Sequence, residues 1–111
     1  MPKYLVLYRA PGDAMEQMAG STPEQAQEGM QLWIKWAERT GSALTDLGSP
    51  LGKSELVPSG GAGDSGTPIG GFSIVEAKSP AAAKELLDDH PHLHMPGGVI
   101  EVLEFLPIPG M

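Results

Sequence analysis

The reactive chemistry of this chain is concentrated in one stretch, Asp88-Asp89-His90-Pro91-His92-Leu93-His94-Met95-Pro96-Gly97-Gly98. All three histidines fall here, at i, i+2 and i+4, behind two carboxylates. If Pro91 keeps the backbone extended, side chains two apart point the same way. His90, His92 and His94 then line one side, with Asp88, Asp89 or Glu101 available nearby. Imidazole suits zinc, copper, iron or nickel, and a carboxylate can complete a three-ligand open site. The structural alternative is a solvent-exposed turn bounded by proline and glycine. In that case His90 is a helix C-terminal residue, favoured there by the macrodipole.

A second constellation is histidine with a carboxylate. Histidine titrates near neutrality, and an aspartate can fix its tautomer for general acid–base work. Asp46, His90 and His92 could meet across a pocket, with His92 the first candidate and His90 the second. Arg9 could bind an anion or carboxylate bidentately beside them. Against this, Asp46 caps a turn and Arg9 forms a surface pair. A third group is aromatic: Tyr4, Tyr8, Trp33, Trp36, Phe72 and Phe105 either line an apolar small-molecule cavity or form core. Met15, Met18 and Met95 supply either a pliable lid or gap filling.

The elements that must position these groups follow from periodicity and punctuation. Lys3 to Arg9 is rich in branched and aromatic residues and stops at Pro11-Gly12, which predicts a strand. Gly12 to Gly20 reads as a loop. Ser21-Thr22-Pro23-Glu24-Gln25 is a helix start, with a hydroxyl cap, proline in the first turn and a capping-box residue. The helix runs to about Thr40 and ends at Gly41. Ala26, Met30, Trp33, Ile34 and Ala37 share one face at 3.6 spacing, with Leu32 and Trp36 off that stripe. Ser42–Gly48 reads as a second strand and Pro68–Ala77 as a third, with a bulge or close approach at Gly70-Gly71. Between them, the glycines of 58–66 lack a following GK[ST] and a strand–loop–helix frame, so they read as a hairpin loop. No cofactor is expected. Ser79-Pro80 opens a second helix, Ala81 to Asp89, and Gly98–Leu106 is the fourth strand.

Strand, helix, strand, strand, helix, strand is the split βαβ arrangement. It predicts a single α+β domain over residues 1–111, ferredoxin-like βαββαβ, with two helices on one face of an antiparallel sheet. Two helices cover only one face. Yet the first strand is apolar or amphipathic on both, and so is the fourth, with Val99, Leu103 and Phe105 on one side and Ile100, Val102 and Leu106 on the other. Leaving the second face in water exposes several side chains worth ~1.5–3 kcal/mol each on burial. A homodimer packed sheet against sheet is the economical answer.

Features along nearly the whole chain resemble the YCII-related (DGPF-type) domain family. They are Tyr4 to Arg9, Met30 to Ala37, Asp46 to Gly52, Gly71 to Ala77, His90-Pro91-His92-Leu93, and Gly97 to Val102. The resemblance implies a dimeric α/β barrel. It supplies no reaction, although a His–Asp pair has been suggested as the active site of YCII-type members. This chain has Arg9-Ala10-Pro11-Gly12-Asp13 after its first strand, with no histidine, and Gly66-Thr67-Pro68 near the place of the DGPF tetrapeptide.

Bulk properties narrow the partners. With 14 acidic against 7 basic residues, the net charge of −7 disfavours nucleic acid and anionic membrane surfaces. There are no cysteines, which excludes thiol chemistry and fits a reducing, cytoplasmic setting. No apolar run approaches the roughly 20 residues of a membrane span, and Tyr4 to Tyr8 is too short for a signal-peptide core. Three functional readings stand: a small dimeric module binding a small molecule between sheet and loops, an enzyme using His/Asp acid–base chemistry on a small metabolite, and a metal-binding protein.

Overall fold

A computed structural model describes residues 1–12, 19–57 and 67–110. The loop positions Met15 and Met18, and the glycine-rich 58–66, lie outside them. The chain forms β1 (Lys3–Arg9), α1 (Pro23–Thr40), β2 (Leu44–Pro50), β3 (Ile69–Glu76), α2 (Pro80–Leu86) and β4 (Val99–Glu104). Short 3-10 turns occupy Gly41–Ala43 and Pro91–His94. The sheet order is β2-β3-β1-β4 with every neighbouring pair antiparallel. This is the ferredoxin-like α+β arrangement, the protomer architecture from which dimeric α/β barrels are built.

Local chemistry sets the element ends. Thr22 Oγ1 accepts from the Gln25 N–H at 3.1 Å, and Gln25 Oε1 accepts from the Thr22 N–H at 3.0 Å, a complete capping box ahead of Pro23. Ser79 Oγ accepts from the Ala82 N–H at 3.1 Å and starts α2. That helix stops at Leu86, three residues short of the expected Asp89, and Asp89 takes a left-handed φ of 54°. The expected irregularity at Gly70-Gly71 is present: Tyr8 pairs with Gly71 and Arg9 with Ile69, so the register shifts there.

Alternation along the strands separates two faces. Tyr4, Val6, Tyr8 and Val75 are buried on the helix side, and Ile100 and Val102 pack against them. Leu5 and Leu7 point the other way, level with Leu103 and Glu101 on β4 and with Ile74 and Phe72 on β3. Val99, Leu103 and Phe105 on this open face are exposed.

The helix stripe differs from the periodicity-based expectation. Met30 and Ile34 are 60% and 48% exposed, whereas Trp36 is completely buried, with Trp33 and Ala37 packed beside the core. The cause is a polar anchor. Trp36 Nε1 donates to the Leu86 carbonyl at 2.9 Å, tying α1 to the end of α2. A buried indole that also satisfies its N–H outweighs a methionine and an isoleucine competing for the same space. The helix is therefore rotated to place Trp33, Trp36 and Ala37 inward.

Two glycines give opposite predictions. Gly48 has φ +84°, and a Cβ there falls on the Phe72 carbonyl oxygen of the neighbouring strand. Gly29 lies within α1 with nothing within 4 Å of a Cβ. Chemical denaturation is expected to show Gly29→Ala stabilising by about 0.5–1 kcal/mol and Gly48→Ala destabilising by more than about 1 kcal/mol.

Candidate functional site

The histidine segment folds over the C-terminal end of β1. Pro91 begins a 3-10 turn instead of an extended run. His90 is its cap: Nδ1 accepts from the His92 N–H at 3.0 Å. In a 3-10 turn side chains fan out about every third of a turn, so the three imidazoles do not line one side as an extended strand would place them. Gly97 and Gly98 allow the fold-over. A Cβ on Gly98 collides with the His92 carbonyl, and Gly97, at φ +76°, sits against the Pro11 ring.

His90 is completely buried. Its ring stacks on Tyr8 at 4.9 Å between centroids and meets Trp33 and Trp36 edge-on at 4.5 and 4.4 Å. Burial pushes its pKa down to about 3, with His92, Arg39 and His94 adding smaller repulsions. The ring is therefore neutral at pH 7. Because Nδ1 accepts a hydrogen bond, the proton resides on Nε2. That Nε2–H has no hydrogen-bond partner among the described residues. Leaving a donor desolvated in this way costs about 1–3 kcal/mol.

His92 is 6% exposed and carries the same Nε2–H tautomer, with the opposite nitrogen engaged. Its Nε2 donates to the Arg9 carbonyl at 2.8 Å, which leaves the lone pair on Nδ1. Its ring lies tilted across Tyr8 at 5.4 Å. Tyr8 links both imidazoles to the sheet. Its hydroxyl donates to Ser73 Oγ at 2.8 Å, and Ser73 donates to the Leu47 carbonyl at 2.7 Å. Burial raises the Tyr8 phenol to about 12, against a smaller lowering by the Ser73 hydrogen bond, so it stays protonated.

The remaining candidates lie elsewhere. His94 is exposed, with Nε2 at 2.9 Å from Asp89 Oδ1, and this contact lowers the Asp89 pKa. Asp46 is exposed on the edge strand β2, where its carboxylate accepts from the Gly48 N–H at 2.8 Å. β3 stands between β2 and β1, and Asp46 is not brought to the histidines. Arg9 divides its roles. Its carbonyl holds His92, while its guanidinium lies on the open face, with Nε 2.8 Å from Glu101 Oε1 and Nη1 2.7 Å from the Thr67 carbonyl. Among the described residues no three His, Asp or Glu side chains are placed to share a metal ion. A shallow hollow lined by Ala81, Lys84, Glu85 and Asp88 lies on the α2 flank and contains none of these groups.

Sequence reasoning placed Tyr8, Trp33 and Trp36 among either cavity or core residues, and missed Ser73. The signal for Ser73 was present. Gly71, Ser73 and Val75 alternate on the helix side of β3, and the two smaller ones flank the Tyr8 ring.

No protein-family model matches the chain, and no curated protein matches it in sequence. Among solved structures it is similar to 5-chloro-2-hydroxyhydroquinone dehydrochlorinase (TftG) from Burkholderia phenoliruptrix AC1100, in a complex with 2,5-dihydroxybenzoquinone. The superposition has a TM-score of 0.54 at 15% identity and covers 94% of this chain and 93% of the other. At that identity the likeness establishes the fold.

The buried imidazole has a pH signature. The folded pKa of His90, about 3, lies below its ordinary value of 6.5. Between these values the unfolded chain binds the additional proton, so stability is fully present above pH 6.5 and falls with pH through this window. The limiting slope is about 1.4 kcal/mol per pH unit. His90→Asn keeps an acceptor for the His92 N–H and removes the titration. Thermal unfolding is expected to show the wild-type midpoint falling from pH 7 to pH 5 and a much flatter response in His90→Asn.

Proposed function

We propose that this chain is a YCII-like homodimeric protein that binds a small, flat, hydroxylated or quinone-type ring at the His90–His92 corner. The observation that carries this reading is a pair of imidazoles, both in the Nε2–H tautomer, whose uncommitted atoms differ. His90 has an unpartnered, enclosed Nε2–H and His92 a lone pair on Nδ1, both rings lie against the Tyr8 ring, and a ligand reaches the His90 N–H only on opening of this corner. One donor and one acceptor bounded by aromatic rings match a planar ligand with adjacent oxygen functions. The TftG complex with 2,5-dihydroxybenzoquinone shows this fold beside a ligand of that kind and supports the choice of chemistry.

An acid–base enzyme is the second reading, favoured by the Arg9 carbonyl. A carbonyl on Nε2–H fixes the His92 tautomer, as a carboxylate does in a His–Asp pair. His92 Nδ1 is then the base. His90 is not, because its lone pair is engaged and its pKa is far below neutrality. In this reading Arg9 acts through its main chain, and Asp46 has no part.

The open sheet face supports the homodimer. Val99, Leu103 and Phe105 are 53%, 40% and 43% exposed on that face, and a second copy packed there removes them from water.

Calorimetric titration with 2,5-dihydroxybenzoquinone tests the ligand reading. Saturable binding is expected, weakened about tenfold or more in His92→Gln, which keeps an N–H for the Arg9 carbonyl and loses the lone pair of Nδ1. Absence of binding at millimolar probe overturns it. Light scattering is expected to read twice the 11.6 kDa chain mass; a monomer at micromolar concentration rejects the dimer.

A further inference from the structure

The open face is apolar in the middle of β1, with Lys3 opposite Glu76 at one end and Arg9 beside Glu101 at the other. Arg9 Nε and Glu101 Oε1 are 2.8 Å apart, with side chains 23% and 44% exposed. The cross-strand neighbours on that face are apolar: Val99 and Ile69 lie opposite Arg9, and Leu7 lies opposite Glu101. The guanidinium is also held by the Thr67 carbonyl, so its position is set within the protomer by two separate segments.

Resting on the sheet-to-sheet dimer proposed above, we infer that the Arg9–Glu101 ion pair fixes the register in which two copies of this chain pack. Apolar contact is non-directional and tolerates sliding. A charged pair does not, because burying either charge against leucine or valine is strongly unfavourable. In an isologous interface each residue meets its counterpart across the two-fold axis. Two copies of a mutually neutralised pair are accommodated only where they approach one another or reach the solvated rim. The pair needs little ordering on association, since both side chains are already held. For an exposed monomer the same ion pair contributes almost nothing to folding, so its effect is read on association.

The experiment is sedimentation of the full-length chain as wild type, Arg9→Gln, Glu101→Gln, the double variant and Leu103→Ala, with circular dichroism to check folding. Each single charge variant leaves one ion without its partner. Its dimer dissociation constant is expected to rise about tenfold or more, and the double variant to fall short of the combined effect of the two singles. Glu101→Gln retains an oxygen for the Arg9 Nε–H and guards against a mere folding defect. Singles within about twofold of wild type overturn the inference. If Leu103→Ala then weakens the dimer, the open face is the interface and only the role of the ion pair falls. A wild-type monomer at micromolar concentration removes the dimer reading and this inference together.

Discussion

The burial of Trp36 is the contact on which the rest of the structure depends. Its indole is completely enclosed, and its N–H reaches the last carbonyl of α2. That one side chain fixes the rotation of α1, the contact between the helices and the wall against which His90 packs. Arg39, one turn further on, reinforces the arrangement by donating to the Asp88 and Asp89 carbonyls just beyond α2. The histidine segment is thus docked onto a frame whose helix orientation is already set.

Much of the architecture was legible because it rests on local rules. The capping box at Thr22, the Ser79 cap and the irregularity at Gly70-Gly71 all follow from short-range chemistry, and the two-faced β1 from simple alternation. The rotation of α1 was not legible. Met30 and Ile34 satisfy helical spacing as well as Trp36 does, and only the Leu86 carbonyl, 50 residues away, separates the alternatives. The histidines were misread for a related reason. Pro91 is compatible with an extended run and with the first position of a 3-10 turn, and the choice depends on whether His90 can cap the turn from a buried position.

The site residues divide along the same line. His90 and His92 could be nominated by type and proximity. Which nitrogen of each ring is engaged could not, because this is set by a backbone N–H in one case and by the Arg9 carbonyl in the other. Asp46 was nominated as a carboxylate near a strand end. Its hydrogen bond to the Gly48 N–H instead serves the edge strand, where glycine at φ +84° passes close to Phe72. Charge-bearing residue types in a sequence mark both turns and sites, and only three-dimensional placement tells them apart.

Arg9 connects the two faces of the sheet. Its carbonyl faces the helix layer and holds His92, while its guanidinium faces the opposite side and holds Glu101. The residue also sits at the register shift between β1 and β3, where the ladder is least constraining. The orientation of that peptide therefore depends on what grips the residue at each end. The proposed ligand corner and the proposed dimer face therefore meet in one residue, and linkage requires any coupling between them to be reciprocal.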